Sequence, residues 1–285
     1  MRDRVTRAYE MMESCAICPR KCGINRMKGE TGFCGIGTDA VVSSAGPHFG
    51  EERPLVGRGG SGTIFFAGCN LGCVFCQNYD ISHHRRGQEA TPQAIAKAML
   101  QLEQMGCHNI NFVTPTHVTP QIMDAILIAR DNRLKAPIVY NCGGYESLEV
   151  LQLLDGFVQI YMPDAKYADA KMSKMFSRAE DYPEINRAAL REMHRQVGDL
   201  EIVGGVATRG MLVRHLVMPN DVAGSKAVID FLADEISPRT YVNVMDQYRP
   251  TFRAGEFPQI ARHPKPEEFA AAYAYAQKRG LRLAD

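Results

Sequence analysis

Short apolar runs alternate with helical patterns along the chain from about residue 61 onward. Runs of β-favouring apolar residues lie at residues 63–66, 109–113, 138–140, 157–162, 211–217 and 240–244. Between two of these runs, Ile95, Met99 and Leu102 recur at the spacing that places side chains on one face of a helix. Regular alternation of strands and helices with short connections is typical of parallel β–α–β units.

Helix boundaries support this alternation. Thr91-Pro92 opens one helix with a capping threonine and a first-turn proline, Gly106 ends that helix, and Thr119-Pro120 opens the next. Further helices are predicted at residues 146–154, 182–197, 221–236 and 266–279. Six such units predict an α/β fold, namely a partial (β/α)6 TIM-like barrel. A doubly wound parallel sheet is the alternative.

The first 50 residues differ from the rest of the chain. They contain four cysteines and several glycines but few long apolar runs, so they cannot bury much apolar surface alone. Segments of this kind depend on a bound metal or on a neighbouring domain for their order. We therefore expect a small cysteine-rich N-terminal extension at residues 1–50 and a core domain at residues 51–285.

Composition and charge narrow the class of protein. Hydrophobic residues make up 45% and charged residues 23% of the chain, and the formal net charge is +1. This balance is typical of a globular protein and gives no electrostatic reason to expect a nucleic-acid or membrane partner. The N-terminus lacks the continuous apolar core of a secretory signal, and no apolar stretch has the length of a membrane span. We therefore expect a cytoplasmic location, where thiols stay reduced.

Cysteine usage is the first sign of specific chemistry. Seven of the nine cysteines precede residue 77. In a chain whose thiols are expected to be reduced, such clustering indicates metal ligation rather than disulfides. Cys107 and Cys142 stand apart from the others, and we expect them to be buried as small apolar residues.

Cys69, Cys73 and Cys76 follow an apolar strand in a C-x3-C-x2-C pattern. Thiolates are the ligands that iron–sulfur clusters require, and three of them on a four-iron cluster leave one iron open. Gly68 and Gly72 allow the backbone to curl around such a bulky group. The loop also follows a strand's carboxyl end, where parallel α/β folds place their chemistry. A zinc knuckle is the alternative, and it is disfavoured because no fourth cysteine lies nearby.

This loop, with Phe75 directly before its last cysteine, resembles the radical S-adenosylmethionine (SAM) superfamily, and within it the pyruvate formate-lyase-activating-enzyme-like branch. The resemblance covers about residues 50–250 and is most specific at residues 63–79. It implies that the open iron of a [4Fe–4S] cluster binds the amino and carboxylate groups of SAM. Reductive cleavage would release a 5′-deoxyadenosyl radical that removes a hydrogen atom from the substrate. The resemblance also implies an electron donor such as flavodoxin or ferredoxin.

The same resemblance implies cofactor contacts close to the cysteine loop. Phe75 resembles the aromatic residue that packs near the adenine. Thr114, Thr116 and His117 occupy the strand end at which relatives carry a Gly-Gly-Glu that holds the methionine amino group. The two hydroxyls and the imidazole offer donors and acceptors in its place.

Three later strand ends carry further implied contacts. Asp164 and Lys166 lie in a Met-x-Asp-x-Lys segment, in which relatives hold a monovalent cation beside the methionine carboxylate. Asn141 stands where relatives have an aspartate. Arg214 resembles the arginine that reaches the cofactor carboxylate or ribose, and a guanidinium suits a planar carboxylate.

The amino-terminal cysteines Cys15, Cys18, Cys22 and Cys34 supply four thiolates, enough for one metal centre. Their spacing is compatible with tetrahedral zinc and with a second iron–sulfur cluster. The segment resembles the cysteine-rich leader found in a subgroup of the activating-enzyme-like branch. We expect a structural metal that orders the extension over the barrel mouth or gates the substrate.

Two functions remain open from the sequence. The first is a hydrogen-abstracting enzyme that either makes a glycyl radical on a partner protein or modifies a small molecule or peptide. The second is an iron–sulfur or zinc protein that acts in electron transfer or as a binding module without SAM turnover. An open iron favours the first, because a carrier gains nothing from an unliganded position. His48, Glu51 and Glu52 precede the cluster strand and face either the substrate or water.

Overall fold

Seven parallel strands form the centre of this computed structural model, which describes residues 1–284. The strands in chain order are β1 (Ala40–His48), β2 (Ser61–Phe66), β3 (Gln88–Ala90), β4 (Ile110–Val113), β5 (Ile138–Cys142), β6 (Ile160–Pro163), β7 (Glu201–Val203), β8 (Val206–Leu216), β9 (Tyr241–Met245) and β10 (Arg282–Leu283). They lie in the order β10-β9-β8-β6-β5-β4-β2-β1-β3, with β7 paired to β8.

Helices connect the successive parallel strands and cover the sheet. In chain order they are α1 (Arg2–Glu10), α2 (Arg53–Val56), α3 (Tyr79–Ser82), α4 (Pro92–Gln104), α5 (Thr119–Asp131), α6 (Leu148–Leu154), α7 (Ala170–Ser177), α8 (Tyr182–Val197), α9 (Ser225–Phe231) and α10 (Pro266–Lys278). The helix predicted at residues 221–236 begins at Ser225, and its last part, Leu232–Ile236, is a π-helical turn. No helix among residues 1–284 is long and apolar enough to cross a membrane.

The strand order confirms the predicted α/β fold, a partial (β/α)6 barrel. Its six strands are β2, β4, β5, β6, β8 and β9, and each overlaps one of the predicted apolar runs. These strands follow one another around the sheet in chain order, without the reversal that defines a doubly wound sheet. Their carboxyl ends therefore meet at one rim, which is where a barrel of this type places its chemistry.

β1 adds an antiparallel strand beside β2 that the apolar pattern does not predict. Its residues 43–47 read Ser-Ser-Ala-Gly-Pro, a sequence of low β-propensity. Backbone pairing with β2 holds it in place, and the Thr63 hydroxyl adds a hydrogen bond to the Gly46 carbonyl at 3.0 Å. The last part of the expected extension at residues 1–50 thus continues the sheet of the core.

Two apolar clusters support the rim of the barrel. The larger one fills the space between sheet and helices, with Ile64, Ile126 and Met193 fully buried in it. The smaller one surrounds the cysteine loop and is rich in aromatic rings, among them Phe75 and Tyr167. Because the smaller cluster lies at the strand ends, it removes water from the side of the loop that faces the protein.

Two side chains of α8 clamp the ends of β5 and β6 together. The Tyr182 hydroxyl donates to the carbonyls of Gly143 and Asp164, at 2.9 and 3.1 Å. The Asn186 amide donates to the carbonyls of Gly144 and Asp164, both at 2.9 Å. These bonds satisfy carbonyls that the sheet ladder leaves unpaired at its end. They also leave no space beside Gly144, where an added Cβ would overlap the Asp164 carbonyl oxygen.

Gly144→Ala should therefore destabilise the fold by about 2 kcal/mol or more, because it combines a left-handed φ of 71° with a backbone overlap. Gly255→Ala is the matched control, since its Cβ position is open and its φ is not positive. The free energy of unfolding from urea titration measures both. Equal values for the two variants would contradict the clamp described here.

Candidate functional site

A cavity of about 800 Å³ opens at the carboxyl ends of the parallel strands. Its volume lies within the range of pockets that bind cofactors and small molecules. Nine of the sequence-predicted site residues line it, and they are Cys69, Cys73, Phe75, Cys76, Thr114, Asn141, Asp164, Lys166 and Arg214. The structure thus brings residues from a loop and four different strand ends to one space.

The loop after β2 curls as its two glycines require. Gly68 and Gly72 have φ values of 80° and 66°, which side chains rarely adopt. A Cβ on Gly68 would lie 2.8 Å from the carbonyl oxygen of Cys34 and 2.7 Å from a side-chain carbon of Ile36. The N-terminal extension therefore packs directly against the cysteine loop, and glycine is needed for that approach.

Each of the three sulfur atoms on this loop receives or shares a hydrogen bond. The Leu71 N–H donates to Cys69 Sγ at 3.3 Å, and the Ser177 hydroxyl donates to Cys73 Sγ at 3.0 Å. Cys76 Sγ lies 3.1 Å from the Ser82 hydroxyl. Donors directed at sulfur are a means by which proteins tune iron–sulfur ligands. Three thiols on one loop, supported in this way beside an open cavity, fit an iron–sulfur cluster.

Burial also argues that these thiols need a positive partner. It raises the pKa of Cys69, and it raises the pKa of Cys73 to about 12. Isolated thiols in this position would stay protonated at neutral pH. A metal group supplies the charge that stabilises the thiolates, so the donor set is suited to metal rather than to free nucleophiles.

Lys166 places a positive charge near the cysteine loop on its cavity side. Its ammonium lies 2.6 Å from the carboxylate of Asp164, and both side chains are mostly buried. Burial opposes the charge of Lys166, but Asp164 and then Cys73 outweigh it, so the pKa of Lys166 is raised. The pair is therefore ionised and neutral overall, and it faces the cavity beside Cys73.

Arg214 is held by two carboxylates. Its Nε donates to Glu52 Oε1 at 2.8 Å, and its Nη2 donates to Glu52 Oε2 at 2.7 Å and to Glu51 Oε2. We call these three side chains the charge triad. The guanidinium therefore pairs with two carboxylates of the chain through Nε and Nη2, and its contact with the cofactor stays a prediction.

Thr116 and His117 lie behind the strand ends and do not line the cavity. Thr116 donates to Glu146, and His117 Nε2 lies 2.8 Å from the carbonyl oxygen of Ala67. Burial lowers the pKa of His117 to about 4, so its ring is neutral. A strand-end position alone does not specify which side a residue faces, and these two face the protein interior.

Thr114 differs from its two neighbours, because it lines the cavity in a strained conformation. Its φ is 60°, which is rare for a β-branched residue. Its N–H donates to the Asn141 carbonyl at 2.9 Å, which ties the ends of β4 and β5 together. Backbone strain of this kind is concentrated at functional sites.

Phe75 also forms part of the cavity wall, where its ring packs against the rings of Tyr167 and Tyr248.

The N-terminal extension contacts the cysteine loop through Arg20. Its guanidinium donates to the carbonyls of Asn70 and Leu71, at 2.8 and 3.1 Å, and to that of Ser177 at 2.9 Å. It also stacks on Phe33, with 3.9 Å to the ring centroid. Arg20 therefore joins the extension, the loop and the end of α7 into one unit.

The four cysteines that flank Arg20 lie near one another. Cys15, Cys18 and Cys34 are buried, and Cys22 is half-buried. The Phe33 N–H points at Cys22 Sγ over 3.5 Å. Burial, and to a smaller extent charge on the other three thiols, raises the pKa of Cys18 to about 12. Within residues 1–284, no three His, Cys, Asp or Glu side chains converge on a point that suits a single metal ion.

Residues 63–215 match the sequence model of the radical SAM superfamily. An uncharacterised protein of Methanocaldococcus jannaschii is 32% identical over 288 residues, which cover 98% of this chain and 79% of that protein. A second uncharacterised protein of the same organism is 26% identical over 277 residues, covering 88% and 76%.

A radical SAM methyltransferase from Sphaerobacter thermophilus has a similar fold, with a TM-score of 0.52 at 13% identity. The match covers 78% of this chain and 65% of the methyltransferase. This chain therefore spans slightly less than two thirds of that protein's length, and the likeness concerns the fold alone.

Glu146 lies in this region and is not among the site residues that the sequence predicts. It is buried after β5, where Thr116 Oγ1 donates to it at 2.8 Å and the Tyr140 hydroxyl at 3.2 Å. Burial raises its pKa to about 7, although these hydrogen bonds oppose the shift. In the sequence it stands only at the start of a predicted helix, so no local signal marks it as buried.

Glu146→Gln should remove a pH dependence of stability. The pKa of Glu146 is about 7 in the folded protein against an ordinary value of 4.5. The neutral carboxyl therefore makes its full contribution to the stability of the fold below about pH 4.5. That contribution is lost as the pH rises through 7, and the loss approaches about 3 kcal/mol. Glutamine stays neutral, so the variant should keep its stability where the parent loses it. Unfolding free energies from pH 5 to 8 measure the difference. The exposed Glu149→Gln is the control, and a Glu146→Gln variant with the parent's slope would contradict the assignment.

Proposed function

The chain belongs to the radical SAM superfamily, and we propose that the cavity is its active site, with Cys69, Cys73 and Cys76 holding the [4Fe–4S] cluster. Radical SAM enzymes use this cluster and SAM, and they need a reductant such as flavodoxin or ferredoxin. One observation carries the proposal: three thiols on one loop face a cavity of about 800 Å³. A simple electron carrier needs no cavity of that size beside its cluster.

When bound, the cluster supplies the electron that cleaves SAM and produces the radical that removes hydrogen from the substrate. The chain's own residues hold and orient these groups. The aromatic cluster around Phe75 and Tyr167 excludes water from the protein side of the loop. The Ser177 hydroxyl donates to the sulfur of Cys73, and the Ser82 hydroxyl lies within hydrogen-bond distance of the sulfur of Cys76.

We propose that Thr114 and Asn141 bind the methionine end of SAM and that Phe75 packs near its adenine. The cavity-facing position and the strained backbone of Thr114 support the first assignment. The resemblance also implies a monovalent cation at Asp164. The Lys166 ammonium already neutralises that carboxylate at 2.6 Å. We therefore propose that Lys166 takes the place of such an ion beside the SAM carboxylate.

We propose a class of substrate from the family resemblance alone. We favour an enzyme of the pyruvate formate-lyase-activating-enzyme-like branch, on the resemblance at residues 63–79. Its substrate is then a glycyl-radical enzyme or a small molecule or peptide. All nine cysteines are free thiols, which supports a reducing, cytoplasmic location. Residues 1–50 act, in this proposal, as a cover on the core domain at residues 51–285.

The cluster assignment predicts the behaviour of a Cys69→Ala/Cys73→Ala/Cys76→Ala variant. After anaerobic reconstitution it should lack the visible absorbance and electron spin resonance signal of the [4Fe–4S] centre. With dithionite and SAM it should form 5′-deoxyadenosine only at background level, because no ligand holds the iron. Cys107→Ala, which removes a buried thiol outside the cavity, is the control and should keep both properties. A triple variant with undiminished signals would refute the proposal.

We also propose that Cys15, Cys18, Cys22 and Cys34 bind a second metal centre, either zinc or an iron–sulfur cluster. The proximity of the four thiols and the Phe33 N–H directed at Cys22 support it. Arg20, between these cysteines, then anchors the metal-bound extension to the loop that carries Cys69 and Cys73.

A Cys15→Ala/Cys18→Ala variant should lose the second metal while keeping the spin signal of the first cluster. Elemental analysis distinguishes a loss of zinc from a loss of iron. Because Arg20 loses its ordered support, hydrogen exchange should become faster in the cysteine loop as well. Cys107→Ala again serves as the control. A double variant that retained its full metal content would contradict the proposed second metal centre.

A further inference from the structure

A smaller recess of about 190 Å³ borders the cysteine loop next to the large cavity. The two spaces share Cys69, Gly72 and Ser82, so the loop forms a wall that is common to both. The other walls come from the N-terminal extension, the segment after α3, the end of α7 and the segment before α10. We call this space the loop recess. It offers an approach to Cys69 that does not pass through the cavity.

Three arginines and no carboxylate line the loop recess. Arg253 is paired with Glu256 at 2.7 Å. Arg85 and Arg178 are exposed, and neither has a carboxylate partner among residues 1–284. The Nε of Arg85 instead donates to the carbonyl of Cys34 at 3.3 Å. The recess therefore presents positive charge to the solvent, and such charge attracts an acidic partner.

Carboxylates on the adjoining segments have other partners. Asp80 lies 3.4 Å from a guanidinium nitrogen of Arg86, and Glu180 lies 2.7 Å from the ammonium of Lys174. Neither carboxylate lines the recess. The positive charge of the two exposed arginines is therefore not balanced by an ion pair at this surface.

The backbone of the loop recess is strained at three positions. Arg85, Arg178 and Phe252 have φ values of 55°, 52° and 56°, in the left-handed region. Among residues 1–284 only eight non-glycine residues have a positive φ, so three of them meet in one small space. Such strain persists where the surrounding structure fixes it, and it is concentrated at functional sites.

An exposed aromatic ring lies among these arginines. Phe252 is 36% exposed, and its ring stacks on Tyr79 with 5.3 Å between the centroids. The ring of His83 lies 4.4 Å from that of Phe252, and its Nε2 lies 3.1 Å from the Cys73 carbonyl. Aromatic side chains and arginines are enriched in protein–protein interfaces. The recess thus has the composition of a docking surface, and His83 connects it to the cysteine loop.

We propose that the loop recess is the docking surface for the electron donor, a redox protein with an acidic surface. The inference rests on the proposed function, because it takes Cys69, Cys73 and Cys76 as the cluster ligands. A donor bound here contacts the wall that contains Cys69. It passes one electron to the cluster, and no bond is formed or broken. Arg85 and Arg178 attract its carboxylates and increase the rate of encounter. The cavity stays available for SAM and the substrate.

The test measures, by calorimetry, the binding of anaerobically reconstituted protein to an acidic flavodoxin and, separately, to an acidic ferredoxin. We expect an Arg85→Glu/Arg178→Glu variant to bind the donor at least about tenfold more weakly at low ionic strength, because two attractive charges become repulsive. High ionic strength should reduce that difference. Arg85→Lys/Arg178→Lys keeps both charges and should keep most of the affinity.

Arg133→Glu/Lys135→Glu is the matched control, since it changes the net charge by the same amount. Arg133 is likewise exposed and has a left-handed backbone, with a φ of 71°. Both residues lie in the segment before β5, at the amino ends of the strands, so the donor should bind this variant as it binds the parent. Formation of 5′-deoxyadenosine with dithionite should be equal in all variants, because a small reductant needs no docking surface.

Equal affinity of the parent and the Arg85→Glu/Arg178→Glu variant would overturn the docking surface, as would an equal loss in the control variant. Failure of both acidic proteins to bind the parent would do the same. Binding of inorganic phosphate that requires Arg85 and Arg178, with donor affinity unchanged, would assign the recess to a small anion instead. A parent that forms no 5′-deoxyadenosine with dithionite would count against the proposed function, whereas the affinities decide the docking surface separately.

Discussion

The cysteine loop can direct three thiols into one cavity only because other parts of the chain satisfy its backbone. The guanidinium of Arg20 donates hydrogen bonds to the carbonyls of Asn70 and Leu71. The N–H of Val74 donates to the carbonyl of Phe176, and the Val74 carbonyl accepts from the N–H of Arg253. Buried backbone groups without partners would be costly, so the loop keeps its shape only while all these segments are in place.

This dependence joins distant parts of the sequence into one site. Arg20 belongs to the N-terminal extension, Phe176 to α7, and Arg253 to the segment before α10. Gly68 approaches the carbonyl of Cys34 so closely that no side chain fits between them. A change that disorders the extension therefore acts on the cysteine loop through lost hydrogen bonds and lost packing. Sequence distance from the loop is a poor guide to influence on it.

The local features of the site could be predicted from the sequence, whereas its cross-chain contacts could not. The cysteine spacing, Gly68 and Gly72 specify a curled thiol loop, and the apolar runs specify the parallel strands, because both signals lie within a few residues. Which way a strand-end residue faces depends on the barrel as a whole. His117 therefore faces inward, although its position in sequence resembles that of Thr114, which lines the cavity.

Long-range pairing explains the other differences. Arg214 has the chemistry to bind a cofactor carboxylate, and the fold also pairs it with Glu51 and Glu52, more than 160 positions away, which the sequence does not indicate. Most of β1 consists of small and polar residues, and its pairing with β2 and β3 holds it as a strand. Both outcomes depend on which segments meet in the folded barrel, and a single sequence contains no direct record of that.

The distribution of charge divides the cavity into two unlike regions. Near the cysteine loop, Lys166 and Asp164 cancel each other at 2.6 Å, so this region presents polar groups with no net charge. Deeper in the barrel, Glu51 and Glu52 outnumber Arg214, and the amide oxygen of Asn111 lacks a donor. The two regions therefore differ in the charged groups that they present to a bound ligand.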